Sequence, residues 1–328
     1  MQKEDPKENL GMDLVRVTEA AALASARWLG KGDKIGGDGA ATNAMRRSFN
    51  NVPMKGKIII GEGEKDEAPM LYIGEEVGTG YGEEVDIAVD PIDGTTLLAN
   101  GMPNAIAVVG AAPGGSMYIP GHSYYMQKLV VPEGVVGLEL DAPMSDILAK
   151  VAKAQGKKIE DLVVFLLNRP RNQLFIDEIR RLGARIQLHE HGDIMGALMA
   201  VSPESEVDIM MGTGGSPEGV IAACAVKGFG GQMLARLNPQ SDKEKQWLLD
   251  NGANLKEIMT ADDLVKSDDT YFAATGISGG LFLGGVEYSE RGLAKTRSLI
   301  VRSKTRTVRY MEAHHDLKQL MKFSSIEY

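Results

Sequence analysis

The sequence predicts a two-domain α/β protein, and three observations carry that expectation. A chain of 328 residues exceeds one ordinary hydrophobic core. Its composition, 43% hydrophobic and 25% charged, is that of a soluble globular chain and excludes wholesale disorder. Short apolar runs of strand length alternate with segments of helical periodicity, the pattern of helices packed on sheets.

Residues 1–11 read as a frayed leader. Leu14, Val17, Ala21, Ala24 and Trp28 then recur at helical spacing, and Gly30 and Gly32 end that helix. Asp38 is expected to be the N-cap of a second helix, DGAATNAMRRSF. The run KIIIG is a buried strand stopping at Gly61; EVDIAVD (84–90) and NAIAVVG (104–110) are two more. Beyond residue 140 the order is helix SDILAKVAKAQG, strand DLVVFLLN, helix NQLFIDEIRRLG, strand ARIQLH, helix DIMGALMAV and strand VDIMMG. A helix beginning near Glu218 and strand GQMLARL continue it. Short connections between such elements predict a mostly parallel sheet with right-handed crossovers. YFAATG and SLIVRS read as strands without assignable partners. A boundary near VPEGVVGLELDAP divides the chain into residues 12–134 and 135–328.

Charge and composition exclude several functions. With 36 Lys and Arg against 45 Asp and Glu, the net charge is −9 and no basic block stands out, so nucleic acid is an unsuitable partner. The stretch Arg297, Arg302, Lys304, Arg306 and Arg309 reads as an oligomer contact or a solvated face. Aromatic residues are only 5%, too few for base-stacking platforms. The single Cys224 excludes a disulfide framework and a Cys-rich zinc site, and reads as a small buried apolar group. The longest stretch without Asp, Glu, Lys or Arg, 94–127, is broken repeatedly by Gly and Pro and cannot be a spanning helix. The charged start MQKEDPKENLGMD lacks an apolar signal region. A cytoplasmic protein with no membrane partner is expected.

Acidic residues sit where the predicted strands stop. Glu62 and Glu64 follow KIIIG, Asp90 and Asp93 close DIAVD, and Glu218 follows VDIMMG within GTGGSPEG. Ligands in α/β sheets collect at the carboxyl ends of strands. In DPIDGTT (90–96), Pro91 stops the ladder, Gly94 lets the backbone turn, and Thr95 and Thr96 offer hydroxyls. Two carboxylates brought together repel unless one is protonated or a cation lies between them. With no His or Cys nearby, that cation is a hard one, Mg²⁺ or Mn²⁺. Each motif alone is an ordinary turn; their conjunction after separate buried strands points to a metal site. His189 and His191 share a face of one strand but have no third ligand for zinc. His314 and His315 read as solvated.

The segments DGAATNAMR, IIIGEGEKDEAPMLYIGEEVGTG, VDIAVDPIDGTT, YMQKL, RPR, HGD and GTGGSPEGV resemble the bacterial class II fructose-1,6-bisphosphatases across residues 12–310. DPIDGT is shared more widely with lithium-sensitive sugar and inositol phosphatases. The resemblance implies a layered α/β/α/β/α sandwich, two or more Mg²⁺ or Mn²⁺ ions per site, a sugar bisphosphate substrate, and a homodimer or homotetramer. It implies metal ligation by Asp38, Glu62, Asp90, Asp93 and Glu218. Gly94 and Thr95 would contact the scissile phosphate. Tyr125, Arg169, Pro170, Arg171, His191, Gly192, Asp193 and Gly215 would bind the sugar and its distal phosphate. Lys34, Asp66 and Thr95 would stand at the catalytic centre. Three positions depart from the family: Asp93 for Glu, His191 for Asp and Arg169 for Lys. The first two bear on sugar selectivity; the third replaces a point charge with a planar fork.

Overall fold

The structure is a computed structural model and describes residues 10–63, 70–290, 292–324 and 326–328. Helices α1 (Leu10–Ser25) and α2 (Lys34–Phe49) precede strands β1 (Lys55–Ile60), β2 (Glu76–Val77) and β3 (Glu84–Asp93). A short helix, α3 (Thr95–Ala99), leads to β4 (Ile106–Pro113). Next come β5 (Tyr125–Val131), α4 (Met144–Gln155), β6 (Val163–Leu167), α5 (Gln173–Arg181), β7 (Arg185–His189), α6 (Asp193–Val201) and β8 (Ile209–Gly215). Then follow α7 (Ser216–Phe229), β9 (Gln232–Leu237), α8 (Asp242–Asp250), β10 (Met259–Thr260) and α9 (Ala261–Leu264). Strands β11 (Tyr271–Gly276), β12 (Glu287–Tyr288), β13 (Leu293–Arg302) and β14 (Thr307–Asp316) end at α10 (Leu317–Phe323).

These elements form five layers. An eight-stranded sheet runs β12-β13-β11-β4-β3-β1-β2, with β14 beside β13, and a six-stranded sheet runs β10-β9-β5-β8-β6-β7. Side-chain alternation decides what each face meets. In β3, Val85, Ile87 and Val89 face α1 and α2, while Ala88 joins the interior between the sheets. In β6, Val163, Phe165 and Leu167 face that interior, and Val164 and Leu166 face the outer cluster containing Ile147 and Leu148 of α4 and Ile176 of α5. Helices α6 and α7 fill the space between the sheets. The result is an α/β/α/β/α sandwich, as expected.

Three expectations differ from what forms. The sheets are mostly antiparallel; only β1–β3, β6–β7 and β6–β8 pair in parallel among the described strands. Element order fixes helix-strand alternation but not which sheet a strand joins, and here β5, β9 and β11 each enter against their neighbours. The strands also do not part at residue 134. β5 already belongs to the second sheet, and residues 271–316 return to the first. Finally, Asp33, not Asp38, caps α2 and accepts from Gly36 N at 2.8 Å. Gly36 and Gly37 look like turn residues, yet they lie in the first helical turn because Trp28 packs there. A Cβ on Gly36 would stand 2.2 Å from the Trp28 ring.

The remaining charged segments are largely paired. Arg297 bonds Glu287 and Glu312, Arg302 forks onto Asp269, and Arg306 pairs with Glu133. His314 is exposed, but His315 turns inward against the Thr296 hydroxyl at 2.8 Å, so the expectation of a solvated His315 is corrected. Cys224 is buried against Gly110, which pushes its thiol pKa up to about 12. No helix among the described residues is long and apolar enough to cross a membrane.

Candidate active site

A cleft of about 920 Å³ opens between the two sheets. Of the residues singled out from sequence, Lys34, Asp38, Glu62, Asp90, Asp93, Gly94, Thr95, Tyr125, Arg169, Arg171, His191, Gly192, Asp193, Gly215 and Glu218 all line it. Pro170 does not; it opens the short 3₁₀ turn that carries Arg171. Asp66 lies outside the described residues.

The first-sheet wall is acidic, and its geometry comes from β3. Residues three apart on a regular strand point to opposite faces. Here the register slips: Asp90 pairs with Val108 and Asp93 with Ile106, so three steps on one strand oppose two on the next. This bulge brings both aspartates to the same side. Asp90 Oδ1 accepts from Ile92 N at 3.0 Å, which closes the turn. Gly94 follows at φ +96°, a left-handed conformation that favours glycine, and starts α3. Its neighbour Thr95 presents its hydroxyl at 3.5 Å from the Ile92 carbonyl. Lys34 Nζ reaches across from α2 and donates to Thr96 Oγ1 at 2.8 Å.

Every acid on this wall is strained electrostatically. Burial, helped by Asp38, pushes the Glu62 pKa up to about 8, and the two share a side-chain hydrogen bond. Burial raises Asp38 as well. Asp90 is raised well above its ordinary value by burial and then by Asp93, Glu62 and Glu218. Asp93 is raised likewise by burial, Asp193 and Glu218, and its Oδ2 is buried without a hydrogen-bond partner among the described residues. An orphaned buried oxygen costs about 1–3 kcal/mol. From the second-sheet side, Glu218 in the first turn of α7 faces these acids and rises to about 7 through burial and Asp193. Its place is reserved by Gly215, where a Cβ would fall 1.8 Å from the Glu218 carboxylate.

The second-sheet wall carries the guanidinium groups, together with Glu190, Asp193 and Glu218. Asn172 ties the turn after β6 to β8, donating to Thr213 O at 3.3 Å and accepting from Thr213 N at 2.7 Å. On this turn Arg171 Nε donates to Thr213 O at 2.9 Å, and its guanidinium lies over the Tyr125 ring at 4.7 Å. Arg169 bonds the Glu190 carbonyl and stands 3.2 Å from His191 Nε2. Burial and the Arg169 and Lys34 charges lower the His191 pKa. His189 instead stacks on Phe165 at 4.3 Å.

Sequence reasoning missed Lys128. It pairs with Asp193 and donates to Gly215 O at 2.7 Å. Its signal was one lysine inside the apolar run YMQKLVV. Glu244 was missed too: buried on α8, it accepts from Tyr124 N at 2.8 Å and Tyr125 N at 3.2 Å and so sets the start of β5.

The five carboxylates fit a hard cation by donor chemistry and by the unpartnered Asp93 Oδ2. Among the described residues no three His, Cys, Asp or Glu side chains close into a compact ligand group; the acids line the cleft more openly.

The cleft between the two sheets gathers buried carboxylates at strand ends beside two guanidinium groups, a make-up suited to a small polyanion held through cations. A family model described as bacterial fructose-1,6-bisphosphatase, glpX-encoded, matches residues 8–315, and the chain belongs to that family. It is 43% identical over 332 residues to the fructose-1,6-bisphosphatase class 2 of Haemophilus influenzae, covering 97% of this chain and 99% of that one. It is 42% identical over 326 residues to fructose-1,6-bisphosphatase 1 class 2 of Escherichia coli strain K12, covering 95% and 96%. Among solved structures, an inositol monophosphatase from Anabaena (Nostoc) sp. PCC 7120 aligns with a TM-score of 0.30 and 19% identity. It covers 59% of this chain and 72% of that one, a likeness too slight to bear on function.

Proposed function

We propose that the chain hydrolyses fructose 1,6-bisphosphate at the 1-phosphate, giving fructose 6-phosphate and inorganic phosphate. The observation that carries this reading is the gathering in one cleft of five carboxylates at strand and helix ends with Arg169 and Arg171 beside them. Asp38, Glu62, Asp90, Asp93 and Glu218 would hold Mg²⁺ or Mn²⁺. Bound dications would supply charge neutralisation of the phosphate and a more acidic attacking water.

The chain's own residues do the rest. Thr95, at the turn after Asp93, orients the water in line with the breaking P–O bond. Arg169 and Arg171 hold the distal phosphate through guanidinium N–H groups, a geometry matched to phosphate oxygens. Arg171 enters the cleft already fixed by Thr213 and Tyr125, so little side-chain freedom is lost on binding. Tyr125 and Asp193 flank the sugar. The water oxygen bonds to phosphorus as the bond to the sugar oxygen breaks; one of the water's protons passes to the sugar oxygen and the other leaves on the phosphate.

The test is phosphate release from fructose 1,6-bisphosphate with Mg²⁺ or Mn²⁺ against the same assay in EDTA, with sedoheptulose 1,7-bisphosphate and an inositol monophosphate as further substrates. Release dependent on dication and largest for the fructose ester is expected. Equal release in EDTA would remove the role of the carboxylates. Preference for another ester would move the substrate, with Asp93 and His191 as the first residues to exchange.

A further inference from the structure

Lys128 occupies an inward-facing position of β5, on the same face as Met126 and Val130, which belong to the apolar interior between the sheets. Its side chain is 2% exposed and that of its partner Asp193 5%. The ammonium donates to Asp193 Oδ2 and, at 2.7 Å, to the Gly215 carbonyl. Space for the pair is kept by Gly214, where a Cβ would stand 2.0 Å from Asp193 Oδ2 and 3.1 Å from Lys128 Nζ. One ammonium thus joins the start of α6, which carries Asp193, to the β8–α7 turn, which carries Gly215 and Glu218. A buried ion pair adds little stability over an apolar pair of equal volume. What it adds here is orientation: the anion it holds is at the cleft wall.

We propose that Lys128 is a positioning residue for sugar binding, fixing the Asp193 carboxylate so that its remaining lone pairs accept a sugar hydroxyl, and keeping the β8–α7 turn in register with it. This inference rests on the phosphatase reading and takes from it that a sugar phosphate occupies the cleft.

A double-mutant cycle tests it by steady-state kinetics on fructose 1,6-bisphosphate at saturating Mg²⁺ or Mn²⁺. Lys128→Met and Asp193→Asn are each expected to raise KM about tenfold or more, with a smaller fall in kcat. The double variant should be no worse in KM than Asp193→Asn alone. If Lys128→Met does not fold, the double variant, which removes both charges at nearly constant volume, is compared directly with Asp193→Asn. Additive losses would overturn the inference. So would a Lys128→Met enzyme that needs more metal while its KM is unmoved, since that places Lys128 with the metal-holding acids instead. The wild type separates the two readings: no phosphate release from it sinks the phosphatase assignment, whereas an active wild type with an additive cycle sinks only the role of Lys128.

Discussion

The acidic and basic walls of the cleft are built by opposite means. Asp38, Glu62, Asp90 and Asp93 are set by backbone devices: a helix, a strand end and a bulge, with short side chains and few partners. Their pKa values all rise, and Asp93 Oδ2 has no hydrogen-bond partner among the described residues. Arg169 and Arg171 are held by backbone carbonyls and an aromatic ring, with donors left over. One wall is in electrostatic tension and the other is at rest. On the proposed reading a cation relieves that tension, catalysis and binding fall to different residues, and the tense wall trades stability for function.

The largest effect expected is on the tense wall. Asp90→Asn should lower kcat/KM by about 10³ or more, while raising the metal-free melting temperature by about 2–4 °C as like charges are relieved. Full activity in this variant would remove Asp90 from the metal site. Thr95→Ala should lower kcat about 10²-fold and change KM little, because its role lies in the transition state. A shift confined to KM would make Thr95 a binding group. On the resting wall, Arg171→Ala should raise KM for the bisphosphate about tenfold and leave a sugar 1-phosphate unaffected. Equal loss for both esters would place the distal phosphate elsewhere.

The smallest effect is a pH dependence that distinguishes the walls without kinetics. Glu62 at about 8 and Glu218 at about 7 bind more protons folded than unfolded, where the ordinary value is 4.5. Their contribution to stability is therefore fully present below pH 4.5 and is lost as pH rises through about 7 and then 8. The chelated protein should melt lower at pH 8 than at pH 6, and Mg²⁺ should restore more at pH 8. A melting temperature that climbs over that range would mean the acids are not in tension.

Sequence pattern located Glu62, Asp90 and Glu218 because each follows a strongly apolar run, and strand ends are visible as the place where such runs stop; Asp38, inside α2, came from the family resemblance. It mistook the cap of α2, since the glycines at 36 and 37 answer to the Trp28 ring, which packs against them in space but stands outside the helix's own motif. Lys128 escaped because one charge in a buried strand gains meaning only from partners on two other elements. Strand β14 escaped because no residue in it is fully buried, so it shows no apolar alternation. Sheet partners were illegible for a similar reason: pairing of β11 with β4 and β13 joins segments far apart in the chain.

Helix α7 has a consequence for tolerance to change. It begins at Ser216, places Glu218 in the cleft in its first turn, and runs buried between the two sheets to Phe229. Near its far end, a methyl group at Gly228 would meet Val301 at 2.3 Å. Such a substitution, remote from the cleft, would drive the whole rod lengthwise or sideways and drag Glu218, an acid proposed to hold metal, off its mark, so inactivating lesions should turn up at the end of this helix far from the substrate.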